Sequence, residues 1–244
     1  MAEVKTPDEI AILKRAAKAA VKAFVRTLPF IREGASEREI AGLLESFAME
    51  IPGVSGLAYP AIVASGPNGA MPHAEITDRK IKAGDFVTVD FGVILDGFAS
   101  DITRTFMIGE PTKEQRKIYR SVLKSQKAGI AAAIAGMPCS ELDAVCRGLI
   151  EKDGYGDYFI HTTGHGIGTE VHEDPRIGTN SESSLEAGMA VTIEPGIYIE
   201  GYGGVRIEDT IVITGSGCEV ITKGISKELN YLTKFLKKFE TIVE

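Results

Sequence analysis

One order of elements runs twice along this chain, and that duplication restricts the fold more than any other feature of its 244 residues. Shifting residues 83–97 by 104 positions lays them on residues 187–201. Ala83 then meets Ala187, Gly84 meets Gly188, Val87 meets Val191, Thr88 meets Thr192, Gly92 meets Gly196 and Gly97 meets Gly201, so six of fifteen positions are identical. Each match lies in a strand–turn–strand pattern and each is preceded by two amphipathic helical patterns. In the first half Thr6, Pro7 and Glu9 begin a helix with a capping box, and Ser36 with Glu39 begins a second. In the second half Thr112 begins a long helix and Ser140 is expected to cap the next. Helix, helix, hairpin, twice over, predicts an α+β chain of two related halves about a pseudo-twofold axis, with the hairpins side by side.

The acids in those hairpins are in the wrong place for a simple sheet. Asp90 interrupts Phe86-Val87-Thr88-Val89-Asp90-Phe91, and Glu194 ends Val191-Thr192-Ile193-Glu194. Acidic residues are depleted from strands, and an ionised carboxylate in an apolar site costs several kcal/mol or more unless a cation balances it. The turn at Gly201 lies midway between Glu194 and Glu208, so these two face each other across the second hairpin; Asp90 and Asp101 do so approximately across the first. Four converging carboxylates, with Arg104 and Arg206 nearby, call for bridging divalent cations. The alternative is a pair of buried acid–arginine ion pairs.

Histidine is scarce. His73, His161, His165 and His172 are the full set, and the last three fall within twelve residues. His165, in Gly164-His165-Gly166-Ile167-Gly168, is the natural imidazole for an acid-rich two-metal site, its glycines permitting close backbone approach in an unusual loop. Read as a dinucleotide fingerprint, the same glycines lack the strand that should lead into them. The net charge of −7 gives no footprint for a nucleic-acid backbone, no apolar run is long enough for a membrane span, and Cys139, Cys146 and Cys218 form neither a disulfide framework nor a sulfur-rich zinc site. A cytoplasmic chain is expected.

The pieces VTVDFG, SDITRTF, HTTGHGIG, VHEDP, TIEPG and VRIED together resemble the pita-bread metallopeptidases, the family of methionine aminopeptidase, aminopeptidase P and prolidase. The resemblance spans residues 5 to about 232. It implies the pita-bread fold and two divalent metal ions, with Asp90 chelating one, His165 and Glu194 binding the other, and Asp101 and Glu208 bridging both. It also implies that His73 and His172 contact the substrate and the tetrahedral intermediate, that Glu194 shuttles a proton, and that His161 and Arg206 bind substrate. The implied reaction is hydrolysis of the N-terminal peptide bond of a short peptide.

Within the family, length resembles the methionine enzyme, whereas IVASGPNGAMPHAE, the placement of His161 four residues before His165, and GGVRIED resemble the proline-specific group. The local motifs decide for Xaa-Pro peptides, with methionine aminopeptidase as the alternative. A metal-free binding module or a creatinase-like C–N hydrolase is a further alternative, and the full ligand set speaks against both. Manganese is the expected metal, with cobalt, iron or zinc as substitutes, and a homodimer is compatible with the family. Residues 1–232 are expected to form the catalytic domain, without an N-terminal creatinase-type domain, and residues 233–244 an amphipathic tail with Phe235, Leu236 and Phe239 at helical spacing.

Overall fold

A computed structural model describes residues 4–236. The first half comprises α1 (Pro7–Thr27), α2 (Glu37–Met49), β1 (Val54–Leu57), β2 (Ile62–Ser65), β3 (Phe86–Phe91), β4 (Val93–Leu95), β5 (Phe98–Ala99) and β6 (Ile102–Met107). The second comprises α3 (Lys113–Ala132), α4 (Cys139–Lys152), β7 (Gly164–Gly166), β8 (Glu173–Ile177), β9 (Ala190–Ile193), β10 (Gly196–Ile199), β11 (Gly203–Arg206), β12 (Asp209–Thr214) and β13 (Gly217–Val220). Strand β3 lies between β2 and β6, just as β9 lies between β7 and β12. The duplication read from the sequence is therefore a duplication of pairing: an α+β arrangement of antiparallel sheets lined by helices, in line with the pita-bread resemblance.

Local chemistry explains the helices. Thr6 and Ser36 accept from the backbone N–H of Glu9 and Glu39, whose carboxylates accept in return from the Thr6 and Ser36 N–H groups. Ser140 does not cap α4. That helix starts at Cys139, two residues before the start a Ser140 cap would set, behind Pro138, which supplies no side-chain cap. Each helix pair buries an apolar stripe against its own hairpin. Phe24 of α1 meets Phe91 and Phe106 edge-on, with centroids 5.6 and 5.8 Å away. In the second half Gly129 lets α3 approach β9, since a Cβ there would lie 2.5 Å from Cys146 Sγ and 3.0 Å from Ile193 Cγ2.

Strand alternation then points the other faces at one another. In β3 Val87, Val89 and Phe91 enter the first core, while Thr88 and Asp90 turn toward the second half. Each hairpin breaks at its middle instead of running straight. At Gly92 a Cβ would sit 1.6 Å from the Ser100 carbonyl oxygen, and the outer part of the first hairpin, β4–β5, leaves β3 to pair with β1. The turn itself is as expected from Asp96-Gly97, with φ of 50° and 81°.

Several strands escaped the sequence pattern because they lie in Gly- and Pro-rich stretches: β1 and β2 within residues 52–72, β7 and β8 within the Gly/His segment. His165 consequently sits on a strand, not in a loop. Its flanking glycines are required for close approach: Cβ atoms at Gly164 and Gly166 would lie 1.9 Å from the Thr192 oxygen and 2.2 Å from the Asp174 oxygen. Among the described residues no helix is long and apolar enough to cross a membrane. Residues 231–236 form a helical turn packed on the first core through Leu232, Phe235 and Leu236; the rest of the expected amphipathic tail, including Phe239, lies outside the described residues.

Candidate metal centre and active site

A cavity of about 590 Å³ opens between the halves, and Asp90, Asp101, His165, Glu194, Glu208 and Arg206 all line it. Their positions follow from register. Ile193 pairs with Asp209 and Gly196 with Arg206, so Glu194 and Glu208 stand opposite each other where the second hairpin breaks. In the first hairpin Asp90 pairs with Thr103, placing Asp101 one diagonal step away rather than directly across. The alternation of β6 also separates the two arginines expected near the acids. Asp101 lines the cavity, and Thr103, on the same strand face, is buried behind it against Glu208 and Arg206. Arg104 turns to the opposite side, where its guanidinium binds Asp209 at 2.8 Å in a buried network with Lys227.

The centre of the cluster is short of positive charge. Ligand atoms of Asp101, His165 and Glu208 all lie within 4.8 Å of one another, and the three residues are buried. Burial and the charges of neighbouring carboxylates, Asp90 first for Asp101 and Asp101 first for Glu208, push both acids well above their usual range. Thr103 donates to Glu208 Oε2 at 2.6 Å, yet Glu208 Oε1 is buried with no hydrogen-bond partner. A buried, orphaned carboxylate oxygen beside a second acid and an imidazole fits a divalent cation, which relieves repulsion and satisfies the oxygen together.

The flanking acids are balanced differently. Asp90 Oδ2 accepts from Arg206 Nη2 at 2.6 Å and its Oδ1 from the Tyr59 hydroxyl at 2.5 Å. Tyr59 also contacts Asp101. Glu194 Oε1 lies 3.1 Å from His165 Nε2 and accepts from Thr192 Oγ1 at 3.1 Å. Burial alone would raise Glu194 and lower His165; their mutual hydrogen bond and opposite charges outweigh it, leaving Glu194 at about 2 and His165 at about 9. His165 Nδ1 lies 3.0 Å from the Gly166 carbonyl, an acceptor, which keeps a proton on Nδ1, so that Nε2 can ligate a metal once it gives up the proton shared with Glu194.

The remaining histidines form the walls. The His172 ring packs edge-on against His165 with centroids 4.4 Å apart, and burial together with the His165 charge lowers its pKa. His73 also lines the cavity. His161 is reached by neither acid: its Nε2 meets the Tyr198 hydroxyl at 2.9 Å, and that oxygen accepts from Arg206 Nη1 at 2.7 Å. Arg206 therefore neutralises Asp90 and braces the His161 wall through Tyr198. The sequence reading missed Tyr59, Tyr198, Thr103 and Thr192. Both threonines carried a signal, standing two residues from a site acid on the same strand face; neither tyrosine did.

The model of metallopeptidase family M24 matches residues 11–215. The chain is 46% identical over 220 residues to a Xaa-Pro dipeptidase of Pyrococcus furiosus, covering 90% of this chain and 63% of that one. Among solved structures, a Xaa-Pro dipeptidase from Bacillus anthracis superposes with a TM-score of 0.90 at 50% identity, over 93% of this chain and 63% of that one. The prolidase from Pyrococcus furiosus does so with a TM-score of 0.89 at 46% identity, over 91% and 65%. The chain thus spans a little under two thirds of the length of these relatives.

Proposed function

The chain belongs to metallopeptidase family M24, and from that premise we propose that it is a two-metal exopeptidase hydrolysing the N-terminal bond of Xaa-Pro peptides. The observation that carries this reading is the unpaired Glu208 Oε1 at the floor of a cavity where Asp101 and His165 converge on it. The names of the relatives at 46% and 50% identity support proline as the second residue of the substrate. Asp90, Asp101, His165, Glu194 and Glu208 would hold the metals. When bound, the metals would polarise the scissile carbonyl and bring the pKa of a water from 15.7 to about 7.

The side chains contribute the rest. Glu194, ionised across the neutral range, accepts a proton at its carboxylate and passes it to the departing proline nitrogen. His172, held neutral by burial and by His165, donates an N–H to the substrate, and His73, also lining the cavity, donates another. Arg206, through Tyr198 and His161, shapes the wall on which the substrate rests. Manganese is the metal of choice, since oxygen donors with one imidazole suit it. The cysteines, present as thiols, fit a reducing cytoplasm.

The test assays protein loaded with manganese, cobalt, iron or zinc on Xaa-Pro dipeptides, Xaa-Pro-Xaa tripeptides and Met-Ala peptides side by side. Cleavage of the proline peptides, fastest with manganese, is expected. Turnover of Met-Ala peptides alone would overturn the substrate, and undiminished turnover after chelation would overturn the metals.

A further inference from the structure

His73 is carried on residues 66–76, a segment without a strand of its own, and the structure points to what holds it. Glu37, the first residue of α2, is completely buried, and both its oxygens are occupied. Oε1 accepts from the Ser65 N–H at 2.7 Å and from Ser65 Oγ at 2.7 Å. Oε2 accepts from Thr77 Oγ1 at 2.6 Å, from the Thr77 N–H at 3.1 Å and from Asn68 Nδ2 at 2.9 Å. Ser65 and Thr77 are the residues at which the His73 segment departs and returns, so one carboxylate closes the loop at its base. Asn68 extends the grip inward by donating also to the Glu75 carbonyl at 3.1 Å.

We propose that Glu37 is a positioning residue for His73: its buried carboxylate pins both ends of the segment 66–76 and thereby fixes where the imidazole enters the cavity. The proposal rests on the peptidase reading given above. The far side of the loop is tied independently, because Arg206 Nη1 donates to the Pro72 carbonyl at 3.2 Å, next to His73. His73 is thus suspended between a first-half acid and a second-half cation. An acid at the start of a helix also sits where backbone N–H groups and the helix dipole favour negative charge. The donors offered to Glu37 demand an acceptor at both oxygens, which a carboxylate alone provides. A Gln in its place turns its NH2 toward a backbone N–H whichever way the amide faces, either that of Ser65 or that of Thr77.

The test compares E37Q, H73A and the double variant in the metal-loaded full chain, with Thr77→Val as a milder variant that leaves Glu37 in place and removes one donor. Expected for E37Q is a fall in kcat toward about 10²-fold, the cost of misplacing a catalytic group by about an ångström, with metal content unchanged. In the H73A background E37Q should lower kcat no further, and T77V should act in the same direction with smaller effect. Independent losses that multiply in the double variant would overturn the proposal. Amide hydrogen exchange gives a readout free of activity: in E37Q exchange should rise at least tenfold in residues 66–76 and stay unchanged in β9 and β12. Unchanged exchange in that segment, or uniform acceleration throughout the chain, would equally overturn it. A wild-type chain inactive on every peptide would sink the peptidase reading, while exchange still decides whether Glu37 clamps the loop.

Discussion

Each hairpin carries a pair of acids, directly opposed in the second and one diagonal step apart in the first, and the two pairs are surrounded by different cations. In the first, Asp90 is balanced by Arg206, which arrives from the other half and is charged at any accessible pH. In the second, Glu194 is balanced by His165, which comes from its own half and titrates. At the centre, Asp101 is only partly offset by His165, 3.7 Å away, and Glu208 by neither cation. The helices repeat the contrast. Asp143 of α4 grips Thr163, which leads into the His165 strand, while pairing with Arg147; Glu37 of α2 grips Ser65 and Thr77 around the His73 loop. A duplicated scaffold has kept its geometry and diverged in charge, which is how one fold can present a permanent and a titratable side to the same cavity.

Breaking the shared centre should have the largest effect. Glu208→Gln is expected to lower turnover of Xaa-Pro dipeptides about 10³-fold and to lower metal content with it, the upper range for removing one electrostatic group from an active site. Retained metal and turnover would show that the two central acids are not equivalent bridges. Next comes the permanent side. Arg206→Ala leaves Asp90 buried against Tyr59 without its cation, and unfolding should cost about 3–5 kcal/mol less, measured by denaturant titration. Arg206→Lys should recover part of that loss but not the simultaneous contacts to Tyr198 and Asp90.

The titratable side should show in the pH dependence of the metal-free protein. His165 is raised from 6.5 to about 9, so its stabilising contribution, ~3 kcal/mol by the shift, is complete below pH 6.5 and disappears as pH rises through 9. Asp101 and Glu208, raised above their ordinary values, act in the same direction, stabilising the fold less as pH climbs from about 4. Glu194, depressed to about 2, contributes above about 4.5 and loses that contribution only in acid. The melting temperature under chelator should therefore fall between pH 5 and pH 9, and added manganese should flatten the profile. A melting temperature that rises over this interval would remove the contrast between the halves. The smallest effect is expected at Tyr198→Phe, which deletes the hydroxyl joining Arg206 to His161: a loss of about 1 kcal/mol, seen in thermal melts, together with a rise in KM.

Much of this was legible beforehand. The helices announced themselves by capping boxes at Thr6 and Ser36, and the acids by standing in β-branched strands where an ionised group needs a partner. Period-two alternation could have gone further: it places Arg104 on the face opposite Asp101 and Thr103, where its guanidinium reaches the Glu208 carbonyl and the Asp209 carboxylate but not the carboxylates of the cluster. The strands β1, β2, β7 and β8 were hidden because glycine and proline, normally signs of a break, are used there to let backbones touch. Tyr59 had no sequence signal, since its hydroxyl acts on acids 31 and 42 positions away; Tyr198 shares a hairpin with Arg206, eight positions on, but its link to His161 spans 37.

What the sequence determined by itself is therefore the repeated order of elements, the helices with capping boxes at Thr6 and Ser36, and the acids in apolar strands that need a counter-charge, because each depends on spacing within a few residues or on the cost of burying charge. What only the tertiary structure decided is which cation each acid receives, which oxygen is left unpaired, and how the His73 loop is held. Those depend on contacts between halves, such as Arg206 with Asp90 across 116 positions or Thr103 with Glu208 across 105, whose geometry is set by packing the two sheets and not by any local pattern.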